Sequence, residues 1–340
     1  MAAEVTLLDA ARRGDEAAFE QLVEPHRAEL HAHCYRMLAS VQDAEDALQE
    51  ALLGAWRGLG RFEGRSSLRS WLYTVATNAC LKAIQRRPKR VLPIDYGPAS
   101  DPHDRPAEPL IESVWVDPYP DEQLFAEDDP VTPEGRYEQR ESVELAFIAA
   151  LQHLPARQRA VMILRDVLGF SARETADALD TKPTSVDSVL QRAHKTVDAR
   201  LPAQSQQAAL SSLGDSELRQ IVDTYTDAWE RADIDTMVTM LADEATLTMP
   251  PNPNWYAGRE AVAAFMGAYP LAEGNRWRLI PTSANGQLAF GHYIWRDEAN
   301  AFVARELSVL TLRGTQIEDL TIFRDPEAPS RFGLPAQIER

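Results

Sequence analysis

The sequence predicts a multidomain protein: two all-α parts, a stretch of acid and proline between them, and an α+β part after the second. Three observations predict it. Apolar residues recur at helical spacing through residues 1–87 and again through 141–200. Residues 91–140 hold nine of the 22 prolines and 13 Asp+Glu against 3 Lys+Arg, with no helical period. From residue 213, two helix-like runs give way to alternating segments such as "ATLTM", "QLAFGHYIW", "FVARELSVLTL" and "IEDLTIF".

A chain of 340 residues is long enough for two or three domains. No run of eighteen apolar residues exists, so no membrane span is expected. The first residues lack the basic start and apolar centre of a signal peptide. Only Cys34 and Cys80 occur, which excludes a disulfide framework and fits a reducing cytoplasm. The formal net charge of −17 argues against a nucleic-acid partner on totals alone. Its distribution reverses that reading. Residues 1–90 hold 13 Lys+Arg against 12 Asp+Glu, and residues 141–202 hold 8 against 8, so each can present a basic face.

In the first part, helices are expected near Val5–Arg13, Glu16–Ser40, Asp43–Leu59 and Leu68–Arg87. The third of these, "DAEDALQEALLGAWR", is two-sided. Ala44, Ala47, Leu48, Ala51, Leu52 and Ala55 fall on one face. Gln42, Asp43, Asp46, Gln49 and Glu50 surround Leu53 on the other. A lone exposed leucine is ordinary, but an apolar knob ringed by carboxylates is also how a helix engages a basic partner helix. The loop Arg61–Leu68 is basic and holds Phe62 and two serines. The helix after it carries Arg69, Trp71, Tyr73, Asn78, Lys82, Arg86 and Arg87, cations interleaved with aromatics that suit an unpaired base. Arg86–Arg90 is the densest basic cluster and suits phosphates.

The acidic stretch reads as an extended, self-repelling linker. Ile111, Val114, Trp115, Val116, Leu124 and Phe125 punctuate it, as a segment that docks would require.

The second α part reads as a helix-turn-helix. Val161, Leu164, Val167 and Leu168 form one stripe, and Gly169 ends that helix. Ser171 and Glu174 are spaced as a capping box. Asp180 and Thr181 make a short turn, and Pro183 sits in the first turn of the last helix. On that helix Thr184, Ser188, Gln191, Arg192 and Lys195 share a polar, finally cationic side, suited to base edges and then phosphates.

These residues carry a resemblance. "DAEDALQEALLGAW", "RFEGRSSLRSWLYTVATNACLKAI" and "LPARQRAVMILRDVLGFSARETADALDTKPTSVDSVLQRAH" resemble, in this order, three elements of the extracytoplasmic-function group of bacterial RNA polymerase sigma factors. The first resembles the core-binding helix, the second the minus-ten element reader, and the third the helix-turn-helix for the minus-thirty-five element. The resemblance implies that Asp43, Asp46, Gln49, Glu50 and Leu53 face the clamp helices of the largest polymerase subunit. It implies that Phe62, Arg65, Ser66, Ser67, Asn78, Arg86 and Arg87 meet minus-ten DNA, partly single-stranded. Thr184, Ser185, Ser188, Gln191, Arg192 and Lys195 are implied to meet double-stranded minus-thirty-five DNA. Two departures bear on upstream sequence preference. Asp180 stands where the family's turn has glycine, and Asp187 where it often has Asn or a basic residue.

The last part resembles SnoaL-like domains, the α+β cone shared with ketosteroid isomerases, in "MPPNPNWYAGREAV" and "FRDPEAPSRFGLP". The resemblance implies a pocket for a small-molecule ligand, with Trp229, Met249, Trp255, Tyr256, Trp277, His292 and Phe323 as its candidate lining. His292, Glu306 and Asp319 are the candidate titratable groups, but they form no acid/base motif, so no enzyme is expected. His31, His33 and Cys34 do not share a helix face, so no metal is expected, and no cofactor either.

The expected domains are 1–90, a linker 91–138, the helix-turn-helix 139–202, a linker 203–214 and the cone 215–335. The expected function is a cytoplasmic promoter-specificity subunit, monomeric when free and regulated by its cone. Two rivals are a ligand-sensing DNA-binding regulator acting without polymerase, and a cone-fold isomerase or hydrolase with an attached DNA-binding part.

Overall fold

The computed structural model describes residues 2–110, 114–124 and 132–339. Ile111 and Phe125 lie outside the described residues. Helices α1 (Ala2–Arg12), α2 (Glu16–Val23), α3 (Arg27–Leu38), α4 (Val41–Gly58) and α5 (Leu68–Ile84) come first. A short α6 (Pro93–Tyr96) follows, and then α7 (Pro133–Glu141), α8 (Leu145–Gln152), α9 (Ala156–Met162), α10 (Ala172–Ala178) and α11 (Pro183–Asp198). Next come α12 (Gln206–Ser212), α13 (Asp215–Glu230) and α14 (Ile234–Met240). Strands β1 (Leu241–Thr248) and β2 (Trp255–Ala257) lead to α15 (Arg259–Ala268). Strands β3 (Trp277–Ala284), β4 (Gln287–Arg296), β5 (Ala301–Arg313) and β6 (Gln316–Phe323), α16 (Ala328–Arg331) and β7 (Gln337–Ile338) complete the order.

These elements form two compact units, Met1–Arg90 with Glu122–Leu201, and Val91–Asp121 with Pro202–Arg340. The first unit is all-α. The helix expected over Glu16–Ser40 is broken, because Pro25 has no N–H to continue it. A 3₁₀ turn, Glu24–His26, separates α2 from α3. Ser40 caps α4 by accepting the Asp43 N–H at 3.3 Å, and Ala44, Ala47, Leu48, Ala51 and Ala55 are buried behind it. Ser171 and Glu174 form the expected capping box on α10. A π-helical turn, Ile163–Val167, extends α9, and Gly169 at φ +68° follows its end, while Asp180 holds the next turn at φ +49°, a left-handed conformation that Asp tolerates better than most residues. That is why an aspartate can stand at the family's glycine position.

The second unit is a curved seven-stranded sheet in the order β2-β1-β6-β5-β4-β3, with β7 paired to β5. β1 runs parallel to β6, and the other pairs are antiparallel. Helices α13, α14 and α15 close one face over a core that includes Tyr225, Trp229, Tyr256, Phe290 and Leu310.

Both stretches read as linkers are attached to this sheet. Ser100 N–H donates to Trp255 O at 2.8 Å, Ala107 N–H to the Asn254 side chain at 2.7 Å, and Leu110 N–H to Pro251 O at 2.9 Å. Tyr119 exchanges hydrogen bonds with Asn285. α12 lies inside the stretch assigned to 203–214, and its Gln206 pairs with both backbone groups of Leu312 at 2.7 and 2.8 Å. α7 starts inside the stretch assigned to 91–138, where Thr132 caps it. The acid and proline disfavour regular structure but do not prevent docking by backbone hydrogen bonds.

The first unit buries His31 and His33 and the second buries His292, and burial lowers the pKa of each. His33 bonds Thr77 and His292 bonds Ser308, and burial pushes both imidazoles down to about 3. The unfolded chain takes up these protons near its ordinary value of 6.5, whereas the fold resists them until about 3. Stability is therefore full above pH 6.5 and is lost as pH falls, by about 1.4 kcal/mol per pH unit for each histidine. At pH 5 each unit should have lost about 2 kcal/mol from this source. Melts between pH 7.5 and 5 test it: His292→Gln should flatten the pH slope of the second unit's transition, and an unchanged slope would refute it.

Candidate functional site

The exposed side of α4 presents Gln42, Asp46, Gln49 and Glu50 around Leu53, which is 52% exposed. Asp43 is not on it. Asp43 is 7% exposed and accepts from Arg90 at 2.7 and 3.2 Å and from Arg87. Position 43 lies roughly 80° around the helix from position 53, at the border of the acidic side. The chain after α5 folds back over that border. Arg87 also reaches Asp46 at 3.2 Å, and Lys89 bonds His153 at 3.0 Å. Of the three arginines expected to meet minus-ten DNA, Arg87 is thus engaged on α4, while Arg65 and Arg86 are exposed.

In the loop before α5, Phe62 is a packing residue: it is 8% exposed, stacks on Trp71 at 5.0 Å, and its carbonyl accepts from Arg12. Ser67 caps α5 through the Ser70 N–H at 3.1 Å. Arg65, Ser66 and Asn78 are exposed. Arg65 meets Glu63 at 3.2 Å, a surface pair of little energetic weight. On α11, Thr184, Ser188, Gln191, Arg192 and Lys195 are exposed and Ser185 is half-buried, while Val186, Ala193 and Val197 face the core. Asp187 is exposed on the same helix.

In the second unit, a cavity of about 640 Å³ opens among β4, β5, β6 and α15. Of the seven expected lining residues, Met249 and Trp277 line it. Trp229, Tyr256 and His292 are wholly buried core residues, with the Trp229 ring 4.5 Å from His292. Phe323 is buried away from the cavity, and Trp255 donates to Gly97 O at 2.8 Å. Aromatic type alone does not separate core from cavity wall: Trp229 of α13 and His292 of β4 lie in the core beneath Trp277, which lines the cavity. The sequence reading missed the polar lining: Arg296, Arg305, Glu306 and Arg324 from the strands, and residues 105–109 of the acidic stretch. The available signal was the "RE" pair inside the apolar run "FVARELSVLTL". Glu306 is buried, which raises its pKa, against the opposing pull of Arg305 and Arg324. Glu306 stands opposite His292 across β4 and β5, but the three titratable groups bond separate partners: His292 Ser308, Asp319 Thr246 and Glu306 Arg324.

The sigma-70 region 2 family model matches residues 22–90, sigma-70 region 4 matches 144–197, and the SnoaL-like domain matches 222–320. The ECF RNA polymerase sigma factor SigG of Mycobacterium tuberculosis is 40% identical over 329 residues, 96% of this chain and 86% of the relative. The ECF sigma factor SigM of the same species is 33% identical over 187 residues, 55% of this chain and 79% of the relative. The crystal structure of the Mycobacterium tuberculosis extracytoplasmic-function sigma factor SigJ matches 91% of this chain and 97% of that one, with a TM-score of 0.53 at 20% identity, a likeness of fold. No helix among the described residues is long and apolar enough to cross a membrane. With region 2 and region 4 in order, a SnoaL-like cone after them and a relative alike along nearly its whole length, the chain belongs to the extracytoplasmic-function RNA polymerase sigma factors.

Proposed function

We propose that the chain is a promoter-specificity subunit, monomeric when free, that binds core RNA polymerase in the bacterial cytoplasm and at the nucleoid. The observation that carries this is Leu53, a large exposed apolar side chain ringed by Asp46, Gln49 and Glu50. A protein that read duplex DNA without polymerase would have no use for that surface. In this reading the α4 face docks on the basic clamp helices of the largest polymerase subunit. Arg65, Ser66, Asn78 and Arg86 meet melted minus-ten DNA, with Phe62 and Ser67 holding the loop that presents them. Thr184, Ser188, Gln191 and Arg192 enter the minus-thirty-five major groove, with Lys195 on phosphate. The cone regulates rather than catalyses, a reading supported by three titratable groups that serve separate partners. Run-off transcription with purified core polymerase tests the whole reading, comparing the full chain with a truncation near residue 205. Transcript from both, in different yield, is expected. No transcript from either on a promoter library would overturn it, and tight duplex binding without polymerase would favour the stand-alone regulator.

A further inference from the structure

The cavity of the second unit has a definite chemistry. Met249, Phe265, Trp277, Ile294 and Ile322 give it an apolar wall. Arg105, Arg296, Arg305 and Arg324 line it against two acids, Glu108 and Glu306. Among the described residues, Arg296 and Arg305 have no carboxylate within ion-pair distance, and Arg305 is half-buried. Arg305 feels the charge of the neighbouring Glu306 but forms no ion pair with it, and a partly desolvated guanidinium that faces a cavity with no carboxylate bonded to it favours an anion there, because Arg binds carboxylates in bidentate fashion. A volume of about 640 Å³ suits a small molecule rather than a peptide.

One side of the cavity is built by residues 105–109, part of the strap that joins the two DNA-reading segments. A short chain of contacts links the cavity acid to that strap. Glu306 lies 3.9 Å from Arg324, Arg324 donates to the Asn252 side-chain oxygen at 3.0 Å, and the Asn252 amide donates to Ala107 O at 2.6 Å. Asn254, two residues on, holds the Ala107 N–H and the Ser100 hydroxyl at 2.7 and 3.0 Å. An anion that draws on Arg324 or Arg305 changes the group that orients Asn252, and Asn252 holds the strap.

From these contacts we propose that the cavity binds a small organic acid with an apolar or aromatic body, and that its occupancy is reported to the strap through Arg324 and Asn252. The proposal names the ligand class for the regulatory role given to the cone above, and rests on that role only for its consequence in transcription. The carboxylate meets Arg305 and Arg324, and the apolar body lies against Trp277 and Phe265. The ligand also touches residues 105–109, so binding tightens the strap on the loop 250–255.

The test uses the full chain with phenylacetate and octanoate as probes and their neutral primary amides as controls. Calorimetry should show saturable binding of at least one acid, with its amide at least tenfold weaker. Arg305→Met should weaken the acid about tenfold and leave the amide within twofold. Arg324→Gln, at the other arginine that meets the carboxylate, gives the same comparison should the first variant misfold. Hydrogen exchange at the Ser100, Ala107 and Leu110 amides should slow on acid binding. Equal binding of acid and amide, no saturable binding by either acid, or strap exchange unchanged at saturation would each overturn the proposal. Binding is read without polymerase. An acid that binds and slows the strap but leaves run-off yield unchanged would therefore sink the regulatory role and leave the site standing. A truncation that alters transcription in a chain that binds neither acid would do the reverse.

Discussion

Leu53→Asp should abolish core polymerase binding while leaving the fold intact. Leu53 is 52% exposed on α4 and touches no core, so its loss costs the fold no more than about 0.5 kcal/mol. At an interface it would be the buried anchor, and an anchor truncation costs about 2–4 kcal/mol. Replacing it with a charge adds the desolvation of a carboxylate, so affinity should fall on the order of a hundredfold or more. Asp43→Asn gives the opposite profile. Its carboxylate is closed under Arg87 and Arg90, and removing one member of a buried pair leaves the other uncompensated, at about 3 kcal/mol. Fluorescence anisotropy of labelled chain against core polymerase, beside thermal melts of both variants, separates the two. Wild-type affinity in Leu53→Asp would remove the docking surface from the account, whatever the melt shows.

The contrast between these two acids of one helix marks what the sequence makes legible. Local signals read correctly: the Ser171–Glu174 capping box, Gly169 at a helix end and Pro183 in a first turn all act within a few residues. The helix wheel found the α4 face because its period is local too. Asp43 was placed on that face because its partner Arg90 is 47 residues away, and no helical period reports it. The same limit hid the strap. Composition makes residues 91–138 an extended linker whose apolar residues suit docking but do not say where, and Ala107 meets Asn252 at a separation of 145 residues. The cavity aromatics failed for a different reason. The type of a side chain does not say how deep it lies: Trp229 of α13 and His292 of β4 are wholly buried in the core, while Arg305 and Glu306 reach the cavity.

In the proposed reading α5 meets minus-ten DNA and α11 minus-thirty-five DNA, and unit one as folded could not engage both at once, which yields the second large expected effect. α5 packs against α9 and α10, and Tyr73 meets Phe170 edge-on at 5.6 Å. Minus-ten and minus-thirty-five DNA lie roughly 25 base pairs apart, on the order of 80 Å of duplex. The contact between α5 and α10 must therefore open before both can be engaged. Arg36, on α3, is a clasp across it: its guanidinium donates to the Ser142 hydroxyl at 2.7 and 3.2 Å and to the Ser142 carbonyl at 3.2 Å. These three contacts all run to one residue, two of them sharing Nε, and a buried charged donor's hydrogen bonding to one such partner contributes about 1.5–3 kcal/mol net. Arg36→Met keeps the volume and removes them, so the closed form should lose about 2 kcal/mol, a shift of about thirtyfold toward the open one. Apparent promoter affinity in complex with core polymerase should rise by up to that factor, because a competent state that is scarce weakens binding in proportion. Energy transfer between labels at Lys82→Cys on α5 and Lys195→Cys on α11 reports the opening directly, since native Cys34 and Cys80 are buried and do not compete for label. Lower transfer and higher run-off yield are expected together. Lower transfer without a gain in yield would mean that opening does not limit transcription, and unchanged transfer would mean that Arg36 does not hold the two segments closed.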